Sequence, residues 1–274
     1  MNKNFEEYLY GTLNKLKNNT IKEAMEYCLE GGQRFRPQII FAITKGFGID
    51  EKEAYGVASA LEYIQTYSLI HDDLPGMDND DMRRGKPSCH KKFGEDIAIL
   101  TGDSLLTHSF SCITEADYND SVKVKMIDAL CKYSGLFGMI YGQLLDVTAK
   151  GEITAEELFE IQDNKTSGLF KFACLAPMFI AGNDKYEYFE KLGSMLGVVF
   201  QNQDDLFDII KSEKETGKSN SDVRNDKITA LKFKTVEELK EHIDNEFKEL
   251  REYLKDAPFD TQYILEIIDR MANR

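Results

Sequence analysis

The sequence has few prolines and few cysteines, and each scarcity narrows the possible protein classes. Only 5 of the 274 residues are proline and no low-complexity tract occurs, which disfavours several domains joined by soft linkers. The 5 cysteines are odd in number, scattered and without CxxC spacing, so we expect free thiols in a reducing compartment. We therefore expect a single domain spanning residues 1–274.

Long apolar runs are also missing. The longest, "FACLAPMFIAG" at residues 172–182, is too short to cross a bilayer. The first residues, "MNKNFEEYLYG", lack the basic-then-apolar order of a signal peptide. We expect a cytoplasmic protein without stable membrane insertion.

The charge balance is acidic, with a formal net charge of −14. Phosphate-rich surfaces would be repelled, so we expect no nucleic-acid partner and no binding to anionic membranes. A small anionic substrate stays possible where a metal ion inverts the local sign.

Helical periodicity is present along most of the chain, whereas strand-like alternation and Asn-Gly hairpin signals are missing. Two segments, residues 53–70 and 190–210, are apolar nearly all round, which is typical of helices at the centre of a bundle. The pattern predicts an all-α fold. Residues 211–227 are polar and predict a loop or mobile segment near the active site.

The first of two acidic motifs, Asp72-Asp73-Leu-Pro-Gly-Met-Asp78, closes an apolar segment. Pro75 and Gly76 should end the helix there and let Asp78 turn back toward Asp72. The second motif, Asp204-Asp205-Leu-Phe-Asp208, closes another apolar run about 130 residues later.

In the second motif, Asp204 and Asp208 are spaced i, i+4 and share one helix face. Carboxylates placed so repel each other unless a cation intervenes, and oxygen-only ligands suit Mg²⁺ better than zinc. The alternative is that these acidic residues merely end helices and face water.

Basic residues accompany both motifs. Each one alone would be a solvated surface group, but beside carboxylates they predict a site that holds diphosphate with Mg²⁺. They are Arg34, Arg36, Arg83, Arg84, Lys165, Lys218 and Lys227.

The motifs taken together resemble the trans-isoprenyl diphosphate synthases, in particular bacterial short-chain farnesyl diphosphate synthases (geranyltranstransferases). The matching strings, in family order, are "GGQRFRP", "YSLIHDDLPGMDNDDMRRGKPSCHKKFGEDIAILTGDSLL", "GQLLD", "KTSGLF", "FQNQDDLFD" and "GKSNSD". The resemblance implies an isoprenoid synthase fold, with about ten or more helices around a central cavity, and a homodimer.

The implied activity is prenyl transfer, in which an allylic diphosphate (dimethylallyl or geranyl) condenses with isopentenyl diphosphate and releases diphosphate. The main product would be farnesyl diphosphate, and about three Mg²⁺ ions would be bound at each active site. The released diphosphate would take the final proton, so no histidine base is required. His71 and His90 are interpreted as structural.

The resemblance also implies roles for individual residues. Magnesium would be held by Asp72, Asp78, Asp204, Asp208 and Asp146, the last two through waters. The allylic diphosphate would be held by Arg83, Lys165, Lys218 and Lys227. Isopentenyl diphosphate would be held by Gln33, Arg36, Gln65 and Arg84. The reacting carbon would be flanked by Lys165, Thr166 and Gln201.

Product length can be argued from the helix before the first motif. Ser68 and Tyr67 lie four and five residues before Asp72, one turn deeper by about 6–7 Å. An aromatic ring there should floor the cavity and favour farnesyl over geranylgeranyl products. Plain core packing is the alternative interpretation of Tyr67.

One departure from the family pattern concerns Gln33, where relatives usually have lysine, and it predicts weaker binding of isopentenyl diphosphate. A weakly active or non-catalytic partner subunit is therefore an alternative. A geranyl or geranylgeranyl diphosphate synthase is a second alternative, and a terpene cyclase, which would share the fold and the first motif, is a third.

Overall fold

The structure, a computed structural model, describes residues 2–149, 151, 153–210 and 229–274. These residues form α-helices joined by short turns, which confirms the all-α prediction. The helices are α1 (Lys3–Leu13), α2 (Thr20–Leu29), α3 (Phe35–Gly46), α4 (Tyr55–Asp72), α5 (Cys89–Phe93), α6 (Glu95–Thr114), α7 (Asp120–Ser134), α8 (Met139–Thr148), α9 (Ala155–Lys165), α10 (Ser167–Ile180), α11 (Tyr186–Ile210), α12 (Val236–Tyr253) and α13 (Gln262–Ala272). Single 3₁₀ turns cover Glu51–Ala54, Ala230–Lys232 and Leu254–Asp256.

Several helices begin at a polar side chain that caps the first turn. The side chains of Asn19 and Asn119 accept hydrogen bonds of 2.9 Å from backbone N–H groups three residues later. Thr154 and Glu157 form a reciprocal capping box at the start of α9. These contacts satisfy N–H groups that have no partner within the helix.

A two-residue hairpin follows the first acidic motif. Strand β1 (Met82–Arg83) pairs antiparallel with β2 (Lys86–Pro87). The two turn residues, Arg84 and Gly85, have φ values of 54° and 76°. The sequence analysis found no hairpin signal, and this is a correction. The turn has Arg-Gly in place of the usual Asn-Gly, so the sequence lacks the common hairpin signal. Gly85 fills one of the two left-handed positions easily, and Arg84 takes up the other.

The chain divides into two compact units. Among described residues, the first unit comprises 2–34 and 55–117. Its core forms where α4 packs against α6, α2 and α1. α4 is buried nearly all round, as predicted, and the hydroxyl of its fully buried Tyr63 donates to the carbonyl of Leu9 at 2.8 Å.

The second unit comprises residues 35–54 and the described residues from 118 to 274. Its apolar centre is α10, which packs against α3, α7 and α11 and buries Phe170 and Phe172 completely. The predictions of one domain and of a central cavity stay predictions. The predicted mobile segment, residues 211–227, lies entirely outside the described residues. The predictions for Lys218 and Lys227 therefore also lie outside them.

Two further expectations concern membrane-spanning segments and thiols. Within the described ranges, no helix combines the length and the apolar character needed to cross a membrane. All five cysteines are free thiols, as the sequence predicted.

Candidate active site

The first acidic segment, residues 72–84, begins where α4 ends at Asp72. The chain then passes through Pro75 and Gly76 and folds back. The backbone N–H of Asp78 donates a 2.8 Å hydrogen bond to the carbonyl of Asp72. The predicted end of the helix and return of Asp78 to Asp72 are therefore confirmed for the backbone.

Asp73, the second aspartate of the pair, faces into the protein and is only 2% exposed. Its two carboxylate oxygens accept hydrogen bonds of 3.1 and 3.2 Å from Nε of Arg83, whose Nη2 also contacts Asp73. Nη2 of Arg83 lies 3.3 Å from a carboxylate oxygen of the buried Asp80.

These carboxylates keep Arg83 charged. Burial alone would lower the pKa of the Arg83 guanidinium, but the hydrogen bond and charge of Asp73, with the charge of Asp80, raise it above its ordinary value. Sequence reasoning assigned no role to Asp73 or Asp80. The spacing of Asp80 three residues before Arg83 was the one local signal available.

Arg84 lies over the glycine pair that precedes α3. Its Nη1 donates to the carbonyls of Cys28 at 3.1 Å and Glu30 at 3.4 Å. A Cβ atom on Gly32, whose φ is +85°, would lie 2.9 Å from Cζ of Arg84. A side chain at position 32 would displace the Arg84 guanidinium, and the left-handed φ of Gly32 also favours glycine. Burial lowers the pKa of Arg84.

Arg34, from the same motif, is a core residue. It is 5% exposed and pairs with Glu6 at 2.9 Å and with Glu62 at 2.6 Å. Its Nη2 also donates to the carbonyl of Leu29 at 2.6 Å. The sequence analysis grouped Arg34 with the diphosphate-binding cations. The structure instead gives its charge to two glutamates of the first unit.

The remaining predicted residues of the first unit lie on or before α4. Gln33 is exposed, and Gln65 is half-buried. Tyr67 is buried, and among described residues its hydroxyl makes no hydrogen bond. Burial, with the charge of Asp72, raises the pKa of Tyr67 to about 12. The hydroxyl of Ser68 donates to the carbonyl of Gln65 at 3.0 Å.

The two histidines interpreted as structural, His71 and His90, each have a polar partner at hydrogen-bond distance. Nε2 of His71 lies 3.1 Å from the carbonyl oxygen of Ile99. Nδ1 of His90 lies 3.1 Å from the hydroxyl oxygen of Ser88.

In the second unit, Lys165 forms an ion pair with Asp146. The pair depends on a close approach of α8 to α9. A Cβ atom on Gly142 would lie 2.1 Å from the backbone nitrogen of Lys165. Gly142, the glycine of "GQLLD", therefore lets the end of α9 approach α8 closely. Asp146 lies one helical turn after Gly142 on α8, and its carboxylate pairs with the Lys165 ammonium group.

A chain of hydrogen bonds joins Thr166 to α11. The hydroxyl of Thr166 donates to Oε1 of Gln201 at 2.6 Å, and Nε2 of Gln201 donates to Oδ1 of Asp205 at 2.8 Å. Oδ2 of Asp205 accepts the backbone N–H of Ala230 at 2.9 Å. The predicted neighbours Thr166 and Gln201 are thus in direct contact. Asp205 is a member of the site that sequence reasoning missed.

A half-buried glutamate lies beside this chain of hydrogen bonds. Nδ2 of Asn202 lies 3.0 Å from each carboxylate oxygen of Glu246, on α12. Burial raises the pKa of Glu246 to about 7, against the opposing hydrogen bond from Asn202.

Asp204 and Asp208 both lie in α11, as predicted. Oδ1 of Asp204 accepts a 2.8 Å hydrogen bond from Nη2 of Arg274. The Arg274 guanidinium also lies 4.4 Å from the ring centroid of Phe200. Arg274 was not predicted, since 70 residues of sequence separate it from Asp204.

Arg36, at the start of α3, lies against an aromatic surface of the second unit. Its Cζ atom is 4.4 Å from the ring centroid of Phe170 and 5.6 Å from that of Phe200. Arginine stacks in this way on aromatic faces through its planar, delocalised charge.

No preformed metal centre is seen in the described part of the chain. There, no three or more His, Cys, Asp or Glu side chains lie close enough together to hold a metal ion. The predicted metal ligands therefore stay predictions.

Residues 18–271 match the family model described as polyprenyl synthetase. The chain belongs to the polyprenyl synthetase family. Membership of this family makes it a prenyltransferase, as the resemblance implied.

Similar proteins fall into two groups. The chain is 38% identical over 265 residues to farnesyl diphosphate synthase of Bacillus subtilis, covering 93% of this chain and 89% of that protein. It is 38% identical over 250 residues to the chloroplastic geranylgeranyl pyrophosphate synthase of Catharanthus roseus, covering 88% and 70%. A crystal structure of Helicobacter pylori geranyltransferase, complexed with magnesium and isoprenyl diphosphate, matches with a TM-score of 0.87 and 27% identity. That match covers 99% of this chain and 96% of that one.

Proposed function

We propose that this chain is a magnesium-dependent short-chain prenyl diphosphate synthase whose main product is farnesyl diphosphate. It condenses dimethylallyl or geranyl diphosphate with isopentenyl diphosphate and releases diphosphate. The 38% identity to a bacterial farnesyl diphosphate synthase over 93% of the chain carries this proposal. The ordered Asp72–Asp78 turn and the Thr166–Gln201 contact support it.

The acidic residues fit magnesium by the chemistry of their donors. The proposed ligands, Asp72, Asp78, Asp204, Asp208 and Asp146, offer only carboxylate oxygens. Mg²⁺ prefers such ligands and usually completes its shell with waters and substrate phosphates. About three ions would be held in this way, and when bound they would neutralise charge on the departing diphosphate.

The cationic residues bind and orient the two substrates. Arg83 is held by carboxylates on its Nε–Nη2 edge, so its Nη1 would meet the allylic diphosphate, together with Lys165. Arg36 and Arg84 would hold isopentenyl diphosphate, with Gln33 and Gln65 nearby.

Lone pairs of the Thr166 hydroxyl oxygen and of the Gln201 carbonyl oxygen would then face the allylic cation. Such preorganised dipoles are worth roughly 100- to 1000-fold in rate when one is removed. Apolar walls would exclude the water that quenches a carbocation.

Product length is argued from Tyr67, because farnesyl and geranylgeranyl synthases are similarly identical to this chain. Its buried ring lies one turn before Asp72 on α4, where it would stop a growing chain. Ser68 beside it is small and leaves the ring as the limiting group.

A homodimer is part of the proposal. Helix α8 and the residues before it present an exposed apolar stripe at helical spacing, which monomers rarely leave uncovered. The stripe comprises Leu136, Phe137, Ile140, Leu144 and Val147, with Phe137 79% exposed. Light scattering should give the dimer mass for the unaltered chain and the monomer mass for Phe137→Asp; a monomeric unaltered chain would contradict this part.

The test is incubation of labelled isopentenyl diphosphate with each allylic starter and Mg²⁺, followed by separation of products by chain length. We expect farnesyl diphosphate as the main product. Asp72→Asn should lower turnover by about 100-fold or more. The matched control is Asp81→Asn, which changes an exposed aspartate of the same segment and should stay active.

Other outcomes select the alternatives. No product above background, even at high isopentenyl diphosphate, would contradict the proposal and favour a non-catalytic partner subunit. The neutral Gln33 favours the milder form of this alternative, a synthase with weak isopentenyl diphosphate binding. Turnover of farnesyl diphosphate alone would indicate a terpene cyclase.

A further inference from the structure

The two aspartates at the head of the second acidic motif differ in their surroundings. Adjacent residues of an α-helix point about 100° apart, so both cannot face the same ligand. Asp204 is partly exposed and contacts Arg274, whereas Asp205 is 5% exposed. Asp205 therefore acts through contacts with other residues of the protein interior.

Both carboxylate oxygens of Asp205 already accept hydrogen bonds from N–H groups. Oδ1 accepts from Nε2 of Gln201 at 2.8 Å, and Oδ2 accepts from the backbone of Ala230 at 2.9 Å. Oδ2 also accepts a 3.4 Å hydrogen bond from Nε2 of the buried Gln162. These bonds bind the carboxylate to α11, to α9 and to the 3₁₀ turn Ala230–Lys232.

The contact with Gln201 fixes the direction of an amide. A side-chain amide can be turned over, exchanging its carbonyl oxygen for its NH₂ group. An ionised carboxylate only accepts hydrogen bonds, so the NH₂ group of Gln201 must face Asp205. The carbonyl oxygen of Gln201 is then directed to Thr166, where it accepts the hydroxyl proton at 2.6 Å.

The direction of the amide in turn fixes the Thr166 hydroxyl. Because its proton points to Gln201, the lone pairs of the Thr166 oxygen point elsewhere and can face a positive charge. Hydrogen bonds arranged in a chain also polarise one another, so a carboxylate at one end makes both oxygens more negative.

We propose that Asp205 is a positioning residue, which holds the Gln201 amide so that the oxygens of Gln201 and Thr166 face the allylic cation. It is not a metal ligand, although it lies between two residues proposed as ligands. This inference rests on the proposed function.

The first test separates positioning from metal binding. Asp205→Asn should lower kcat by about 10- to 100-fold, as loss of an outer supporting partner does. The Mg²⁺ concentration for half-maximal rate should change less than about twofold, because the lost interaction belongs to the transition state. Asp204→Asn should instead raise that Mg²⁺ concentration. Asp244→Asn, at an exposed position of α12, is the matched control and should leave both values unchanged.

The second test exchanges the two partners. Gln201→Glu alone places two carboxylates in contact and should lower both kcat and the midpoint of thermal unfolding. In the double variant Gln201→Glu, Asp205→Asn, the introduced amide can donate to the introduced carboxylate and still accept from Ala230. The double variant should therefore unfold at a higher temperature than Gln201→Glu and exceed its kcat by about tenfold, as coupled neighbours do.

The outcomes are distinct. An Asp205→Asn variant that needs more Mg²⁺, as Asp204→Asn does, would show that Asp205 binds metal and would overturn the inference. A kcat within about twofold of the unaltered chain, or a double variant no better than Gln201→Glu, would also overturn it. If the unaltered chain forms no product, the proposed function fails, and the unfolding midpoints still decide whether Asp205 holds Gln201.

Discussion

Replacing Glu246 by glutamine should change how the stability of this chain depends on pH. The carboxyl is half-buried between α12 and α11, and this partial burial raises its pKa to about 7 from an ordinary 4.5. Asn202 and Lys234 act in the opposite direction, while the charge of Glu249 adds to the increase. Nε2 of His242 lies 3.4 Å from a Glu246 oxygen.

The sign follows from proton linkage. The folded chain binds this proton more tightly than the unfolded chain, so protonation stabilises the fold fully below pH 4.5. That contribution is lost as the pH rises through about 7. The difference between the two pKa values of Glu246 corresponds to about 3.5 kcal/mol, at about 1.4 kcal/mol for each pKa unit.

Urea unfolding of the unaltered chain and Glu246→Gln at about pH 5 and about pH 8 measures this contribution. Relative to the unaltered chain, the variant should gain about 2–3 kcal/mol of unfolding free energy between the two pH values. Glu241→Gln, at an exposed position one turn away, should stay within about 0.5 kcal/mol. A difference for Glu246→Gln that does not change with pH would refute the reasoning.

Three further predictions concern the substrates. Tyr67→Ala should shift the product toward geranylgeranyl diphosphate or longer chains, and an unchanged product length in chromatography would contradict the role of the ring as a floor. Gln33→Lys should lower KM for isopentenyl diphosphate while leaving that for geranyl diphosphate unchanged; an equal or higher isopentenyl KM would argue against this interpretation. Asp73→Asn should release Arg83 and lower kcat/KM for the allylic substrate by about 10- to 100-fold, with Asp81→Asn as control. Equal effects of Asp73→Asn on both substrates would indicate a general loss of structure instead.

Local rules were sufficient for part of the site. Pro75 and Gly76 predicted the end of α4, and the return of Asp78 to Asp72 follows from the turn that they permit. The i, i+4 spacing of Asp204 and Asp208 predicted their shared helix, because residues four apart lie on one helix face. The apolar character of α4 likewise predicted its burial.

Contacts between distant residues were not predictable in this way. The burial of Asp73 and Asp205 depends on which side of each helix meets the rest of its unit. Arg83 was predicted to hold the allylic diphosphate, and nothing in the sequence indicated that two carboxylates would hold one of its edges. The pairing of Arg274 with Asp204 joins residues 70 positions apart, for which the sequence contains no local signal.

The resemblance supplied what periodicity could not. Thr166 and Gln201 lie 35 residues apart, and only the family motifs suggested that they are neighbours. Arg34 shows that a basic charge within a motif is not enough to assign a role in substrate binding. This residue of "GGQRFRP" forms ion pairs with Glu6 and Glu62 in the core instead.

Calorimetric titration of Mg²⁺ into the chain, with and without methylene bisphosphonate, tests most directly whether a diphosphate and the two acidic motifs bind the metal together. Because no group of three ligands is assembled among the described residues, we expect strong Mg²⁺ binding only when the bisphosphonate is present. The binding should be lost in Asp72→Asn and in Asp204→Asn. Strong Mg²⁺ binding without the bisphosphonate, or binding that both variants retain, would contradict a shared magnesium and diphosphate site.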